Sequence, residues 1–151
     1  MTQKTAGSQS AVDAPQAGEF SRLSPGGYFI ALHLGFAFPV AEHNALPSHW
    51  VDHYTRSNYM LGDPVMRWLH ANEGWLRWSD IPLDDPQGIL ADAARHGLAH
   101  GLAVSHADDA GRRSLATFAR ADRPFTEDEA KFLAARLAWL HGALVPPPQE
   151  D

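Results

Sequence analysis

The sequence contains no cysteine. Disulfides, thiol nucleophiles and thiolate metal sites are therefore excluded. It also lacks any run approaching the ~18 apolar residues of a membrane span. No apolar stretch near Met1 has the character of a secretory signal. Basic residues are few: 12 Lys and Arg stand against 18 Asp and Glu, a formal net charge of -6. That balance argues against non-specific affinity for nucleic acid or an anionic membrane surface. The expectation is a cytoplasmic protein that touches neither. Phosphate-cradling and nucleophile-elbow patterns (G-x-S-x-G, a Walker loop, the Rossmann glycines) are absent too. No internal repeat is visible.

What is present is 151 residues with 44% apolar content, enough for one domain with a full core. Residues 1–19, rich in Ser, Ala, Gly and Gln, read as a disordered lead-in, with order beginning near Phe20. "YFIALHLGFAF" (28–38) reads as a buried strand bent at Gly35, and Pro39 to Pro47 as a loop. Ser48 is placed to cap a helix running to about Tyr59. Asp63-Pro64 opens a second helix, Asp at the N-cap and Pro at the first position, with Val65, Trp68 and Leu69 on one face. A short strand lies within 73–82, and a helix within about 85–96 that Gly97 ends. "HGLAVSHA" and "RSLATFARA" flank "DDAGR" as a hairpin. The final helix begins with a capping box, Thr126 to Glu129. Phe132, Leu133, Leu137, Leu140 and Leu144 recur along it at helical spacing. Residues 146–151 form a Pro-rich acidic tail. This order predicts an α+β domain over 20–145 with a mainly antiparallel sheet covered by helices.

Chemistry is concentrated in "HWVDHYTRSNYMLGDP" (49–64). Trp50 and Tyr54 are one helical turn apart, and Asp63 follows nine residues later. An indole N–H only donates and an ionised carboxylate only accepts, so together they suit a small molecule with both a carbonyl and an N–H. Spacing alone favours the plainer reading, two aromatics in a core and a helix cap. The histidine pairs His49/His53 and His96/His100 have metal-ligand spacing. Solvated surface histidines are the stronger reading for both. Asp84/Asp85 and Asp108/Asp109 read as a cap and a turn.

The same stretch, extended to Trp78, resembles the autoinducer-binding domain of LuxR-type quorum-sensing regulators. The match is W-x3-Y, an Asp-Pro nine residues past the tyrosine, and a tryptophan fifteen residues past that aspartate: Trp50, Tyr54, Asp63-Pro64 and Trp78. Gly97 and Gly101 fit the family's G-x3-G entry to a strand. The resemblance implies an α-β-α sandwich around a central five-stranded antiparallel sheet. The implied ligand is an N-acyl homoserine lactone, with no other cofactor and no catalytic residue. Trp50 would donate to the lactone carbonyl, and Asp63 would accept from the ligand amide. Tyr54 would pack or bond near the acyl carbonyl, and Trp78 would wall the lactone ring. Val65 and Leu46 join the lining, Leu46 standing where many relatives carry a tyrosine. On the last hairpin strand Thr117 is the candidate hydroxyl near the acyl group, with Ser114 close by and Phe118 competing for the place.

No recognition helix follows, so the chain is expected to be either a shortened regulator or a lone sensing domain. Three functions follow. The first is a stand-alone sensor or modulator that binds the lactone and lacks its own DNA-binding domain. It could form a homodimer, or a heterodimer with a full-length LuxR-type regulator, through the final helix with Phe132 and Trp139. The second is a ligand-independent anti-activator that only heterodimerises. The third, an enzyme acting on the lactone, has no readable base–nucleophile or three-ligand metal set behind it.

Overall fold

Alternation along the longest strands sets the architecture. In the computed structural model, which describes residues 14–35 and 38–144 (14–16 by backbone only), five strands pair antiparallel in the order β2-β1-β5-β4-β3. They are β1 Gly27–Leu34, β2 Pro39–Asn44, β3 Gly74–Arg77, β4 His100–Ala107 and β5 Arg113–Arg120. Tyr28, Ile30 and Leu32 of β1, Leu102 and Val104 of β4, and Ala116 and Phe118 of β5 share one core cluster. Ala31, Ala103, Leu115 and Ala119, on alternate positions, belong to a second. Both faces of the sheet are covered, which is why β4 and β5 read as continuous apolar runs rather than alternating ones.

On the first face lie α1 (Ala14–Leu23) and α5 (Glu127–Ala143); α2 (Ser48–Arg56), α3 (Pro64–Ala71) and α4 (Ile89–Arg95) cover the second. The α-β-α sandwich and its five-stranded antiparallel sheet thus match the expected fold class. The α5 capping box is complete, with Thr126 and Glu129 each accepting from the other's backbone N–H. Leu133, Leu137 and Leu140 point into the core, whereas Phe132, expected on the same stripe, is 37% exposed. Position 132 precedes 133 by about 100° of helical rotation, which carries it out of contact.

Several boundaries differ from expectation. Helical order begins at Ala14 rather than near Phe20. Phe20 is 1% exposed against Tyr28 and Phe118, and Arg136 of α5 holds Glu19 by two hydrogen bonds. These tertiary contacts order a segment whose composition is that of a linker. The remaining lead-in (1–13) and the tail (146–151) lie outside the described residues. Pro39–Asn44 is a strand, not a loop, pairing Ile30 with His43 and Ala31 with Glu42. It is an edge strand in which Ala41 alone is buried, so polar residues and an initial Pro are tolerated there. Helix α2 stops at Arg56 because Asn58 takes a left-handed conformation (φ 56°), and a 3-10 turn over Tyr59–Leu61 follows. Pro47, not Ser48, occupies its N-cap position.

The C-terminal turn of α5 is pinned to the hairpin by a buried polar chain. The backbone N–H of His33 donates to Ser114 Oγ (2.9 Å), whose hydroxyl donates to His141 Nδ1 (2.6 Å). His141 Nε2–H then donates to Asp108 Oδ2 (2.8 Å), and His33 Nε2–H donates to the His141 carbonyl (2.8 Å). The chain needs His141 neutral, since a proton on Nδ1 would leave the Ser114 hydroxyl proton without an acceptor. Burial pushes the His141 pKa down, with His33 and His106 acting in the same direction and Asp108 opposing them. The unfolded chain therefore binds this proton more readily than the folded one. The stability tied to His141 is complete above its unfolded pKa of about 6.5 and is lost as pH falls through the lowered folded value. His43, also lowered by burial, adds to the same slope. Urea midpoints should fall between about pH 7.5 and about pH 5.5. His141→Gln should be weaker at both and flatter between them; an equal slope in the variant would contradict the assignment.

Candidate functional site

Between the second face of the sheet and α2, α3 and α4 is a cavity of about 220 Å³. Each element contributes for a local reason. Helix α2 places Trp50 and Tyr54 on one side because they are four residues apart. Their rings meet edge to face at 6.0 Å. The Asp63-Pro64 pair starts α3 as predicted, Asp63 Oδ1 accepting from Val65 N–H at 2.8 Å. That cap holds the carboxylate at the cavity wall. Trp78 enters from the turn after β3, and its indole fills the space above Gly101 of β4, where any Cβ would overlap the ring. From β5, Thr117 faces the cavity together with Phe29 of β1, its partner in register.

All seven residues singled out from the sequence line this one cavity: Leu46, Trp50, Tyr54, Asp63, Val65, Trp78 and Thr117. Ser114 and Phe118 do not. They lie on the opposite face of β5, Phe118 in the core under α1 and α5 and Ser114 in the His141 chain. Strand parity turns Thr117, and not Ser114 or Phe118, toward the cavity. Sequence reasoning missed the apolar remainder of the lining, chiefly Phe29, Ile89, Ala93 and Leu98. Each looks like ordinary core, and only the packing leaves a space beside it.

The polar groups divide into committed and uncommitted ones. Tyr54 O–H donates to Asp63 Oδ2 (2.7 Å), and Trp78 Nε1–H donates to Thr117 Oγ1 (2.9 Å). The Thr117 hydroxyl in turn donates to the Leu102 carbonyl at 3.2 Å. Trp50 is 5% exposed, yet its indole N–H has no acceptor among the described residues. Asp63 is 7% exposed, with no cationic partner among the described residues. Burial raises its pKa, outweighing the hydrogen bonds from Tyr54 and from the Val65 and Met66 backbone. Burial, and then the Asp63 charge beside it, drive the Tyr54 phenol above its ordinary range. An unspent donor and a strained carboxylate in an apolar cavity are the features of a site that completes its hydrogen bonding with a ligand.

A second polar node braces the wall. Asp92 of α4 accepts from His53 Nε2 (2.6 Å), Tyr59 Oη (2.6 Å) and Arg95 (3.0 Å). These bonds, Tyr59's first, hold its pKa down at about 2. His53 is therefore tied to α4 with about a third of its side chain still exposed, and its ring stacks on His96, which stacks in turn on His49. The histidines join neighbouring elements here; no group of three or more metal-ligating side chains is assembled among the described residues. Of the carboxylate pairs, Asp85 caps α4 through the Ile89 and Leu90 N–H groups. Asp108 accepts from Ala110 and Arg112 in the hairpin turn as well as from His141.

Comparison with known proteins agrees with this geometry. The family model described as an autoinducer binding domain matches residues 33–145. The transcriptional activator protein SolR of Ralstonia nicotianae is 31% identical over 101 residues, 67% of this chain and 43% of its own length. The chain thus spans less than half of that relative. Among solved structures, the N-acylhomoserine lactone dependent LuxR family transcription factor CepR2 from Burkholderia cenocepacia superimposes with a TM-score of 0.64 at 21% identity. That match covers 93% of this chain and 86% of the other. SdiA in complex with octanoyl-rac-glycerol gives 0.56 at 23% identity, over 76% and 49% of the two chains. These structures share the fold, and the family is one of transcriptional regulators rather than enzymes. With the family model matched across most of its length, the chain belongs to the autoinducer-binding domain family of LuxR-type regulators.

Proposed function

We propose that this domain binds an N-acyl homoserine lactone in the 220 Å³ cavity and serves as a sensor or modulator of quorum sensing in the cytoplasm. The observation that carries the reading is the pairing of an unpartnered Trp50 N–H with the Asp63 carboxylate in one apolar space. Trp50 donates to the lactone carbonyl and Asp63 accepts from the amide N–H. Tyr54 O–H, which sits on Asp63 in the unliganded domain, turns to the acyl carbonyl as the amide N–H takes its place, and Trp78 walls the ring. Val65 and Leu46 enclose the acyl chain, and Thr117 holds the Trp78 indole in place. The fold match to a lactone-dependent factor supports the same ligand class.

The competing reading is a ligand-independent module that acts only by pairing with a full-length regulator. It calls for a cavity filled by side chains and no stabilisation by ligand. The open cavity and the unspent indole N–H favour the receptor. Isothermal calorimetry with hexanoyl, octanoyl and decanoyl homoserine lactones tests it, with octanoyl glycerol as the non-lactone arm. At least one lactone should bind and raise the melting temperature. Trp50→Phe keeps most of the packing and removes the N–H. It should weaken lactone binding about tenfold, the worth of one hydrogen bond of about 1–1.5 kcal/mol, with the unliganded melting temperature little changed. Lactone binding that is absent in the wild type would defeat the proposal.

A further inference from the structure

The acyl chain this pocket accepts can be read from its supply of hydrogen-bond donors, an inference that rests on the lactone reading above. Four donors line the cavity away from its exposed rim, where Glu42, Asn44 and Thr55 sit. Trp50 N–H is free. Tyr54 O–H is on Asp63, and an arriving amide N–H can replace it on the carboxylate and release it to a ligand carbonyl. The other two are locked in series: Trp78 N–H on Thr117 Oγ1, and the Thr117 hydroxyl on the Leu102 carbonyl within the β4–β5 ladder. Leu46, Val65, Ile89, Leu90, Ala93 and Leu98 supply no polar side-chain group.

An unsubstituted acyl homoserine lactone brings two carbonyls, on the ring and on the amide, and the two releasable donors serve both. A 3-oxo chain brings a third. We infer that the pocket is specific for acyl chains without a 3-oxo group, and that Thr117 sets this preference by holding the Trp78 indole N–H away from the ligand. A third carbonyl enters the cavity desolvated and unpaired, or it breaks the Trp78–Thr117–Leu102 series. A 3-hydroxyl is intermediate, because it can donate to the second lone pair of Thr117 Oγ1.

The test is calorimetry on the whole chain with octanoyl, 3-hydroxyoctanoyl and 3-oxooctanoyl homoserine lactone, repeated with the hexanoyl series. The expected order of affinity is unsubstituted, hydroxy, oxo, with the oxo form at least about tenfold weaker than the unsubstituted one. Thr117→Val leaves the Trp78 N–H unpartnered at the cavity wall, so the same ratio should narrow to about threefold or less. Equal or tighter binding of the oxo form by the wild type overturns the inference and leaves the receptor reading standing. A ratio unchanged in Thr117→Val overturns the role given to Thr117. No binding of any member overturns the inference and the receptor reading together.

Discussion

Asp63→Asn is expected to weaken lactone binding by about a hundredfold without lowering the stability of the unliganded domain. The two effects separate because Asp63 has two jobs. As an N-cap, its Oδ1 accepts from Val65 N–H, and Asn caps helices about as well as Asp. As a binding group it offers a charged acceptor in an apolar wall, 7% exposed. A hydrogen bond to an ionised group contributes about 1.5–3 kcal/mol, and the amide's N–H₂ would oppose the ligand N–H with another donor. Burial already disfavours the Asp63 charge, so removing that charge relieves the unliganded fold.

The same raised pKa sets a pH dependence. The proposed ligand binds the ionised form. Wild-type affinity is therefore full above the raised Asp63 value and falls as pH drops through it, while Asp63→Asn is flat. The stability contribution has the opposite sense. A carboxyl whose folded pKa lies above its unfolded value stabilises the fold at low pH, and this is lost as pH rises through the folded value. Calorimetry with octanoyl homoserine lactone between about pH 4.5 and about pH 7 reads the first effect. Binding that survives the substitution unchanged, or an equally steep pH profile in the variant, would remove Asp63 from the site.

Gly101→Ala should destabilise the domain strongly and abolish lactone binding. A Cβ at position 101 falls within the Trp78 indole. Gly101 is buried mid-sheet, pairing with Ala119, so the backbone cannot yield and the indole must leave. Its departure breaks the hydrogen bond to Thr117 and removes one wall of the cavity. Overpacking of this kind costs about 3 kcal/mol, roughly 10 °C in melting temperature for a domain of this size, and lactone binding should be lost with it. Gly97→Ala is the control. Nothing lies within 4 Å of a Cβ there, and the cost is that of a side chain at φ 87° alone, about 1 kcal/mol. Comparable melting temperatures for the two variants would show that the indole does not depend on this glycine. Similar in sequence, the two glycines are there for different reasons.

How much of this was legible depended on the range of the interactions. The α5 capping box, the Asp63-Pro64 start of α3 and the β4–β5 hairpin follow from residues a few positions apart, and the structure has all three. Strand β2 was not legible, because an edge strand buries a single residue, Ala41, and carries no alternation to read. The docking of α1 rests on Phe20 and on the Glu19–Arg136 pair, 117 residues apart in sequence. The early end of α2 turns on the conformation of one residue, Asn58.

The site divides the same way. By itself the sequence determined the capped helix that carries Asp63, the one-turn spacing of Trp50 and Tyr54, and the order in which Trp78 and the two glycines follow. Those are local geometry and linear order, which short-range sterics and hydrogen bonds impose. Tertiary structure alone decided that seven residues from positions 46 to 117 line one cavity. It also decided that Thr117 rather than Phe118 faces that cavity, and that the Trp78 N–H is spent while the Trp50 N–H is not. Strand register fixes which alternate side chains turn inward, and a hydrogen-bond partner 39 residues away is set by that register. Neither can be read from the spacing of residue types along the chain.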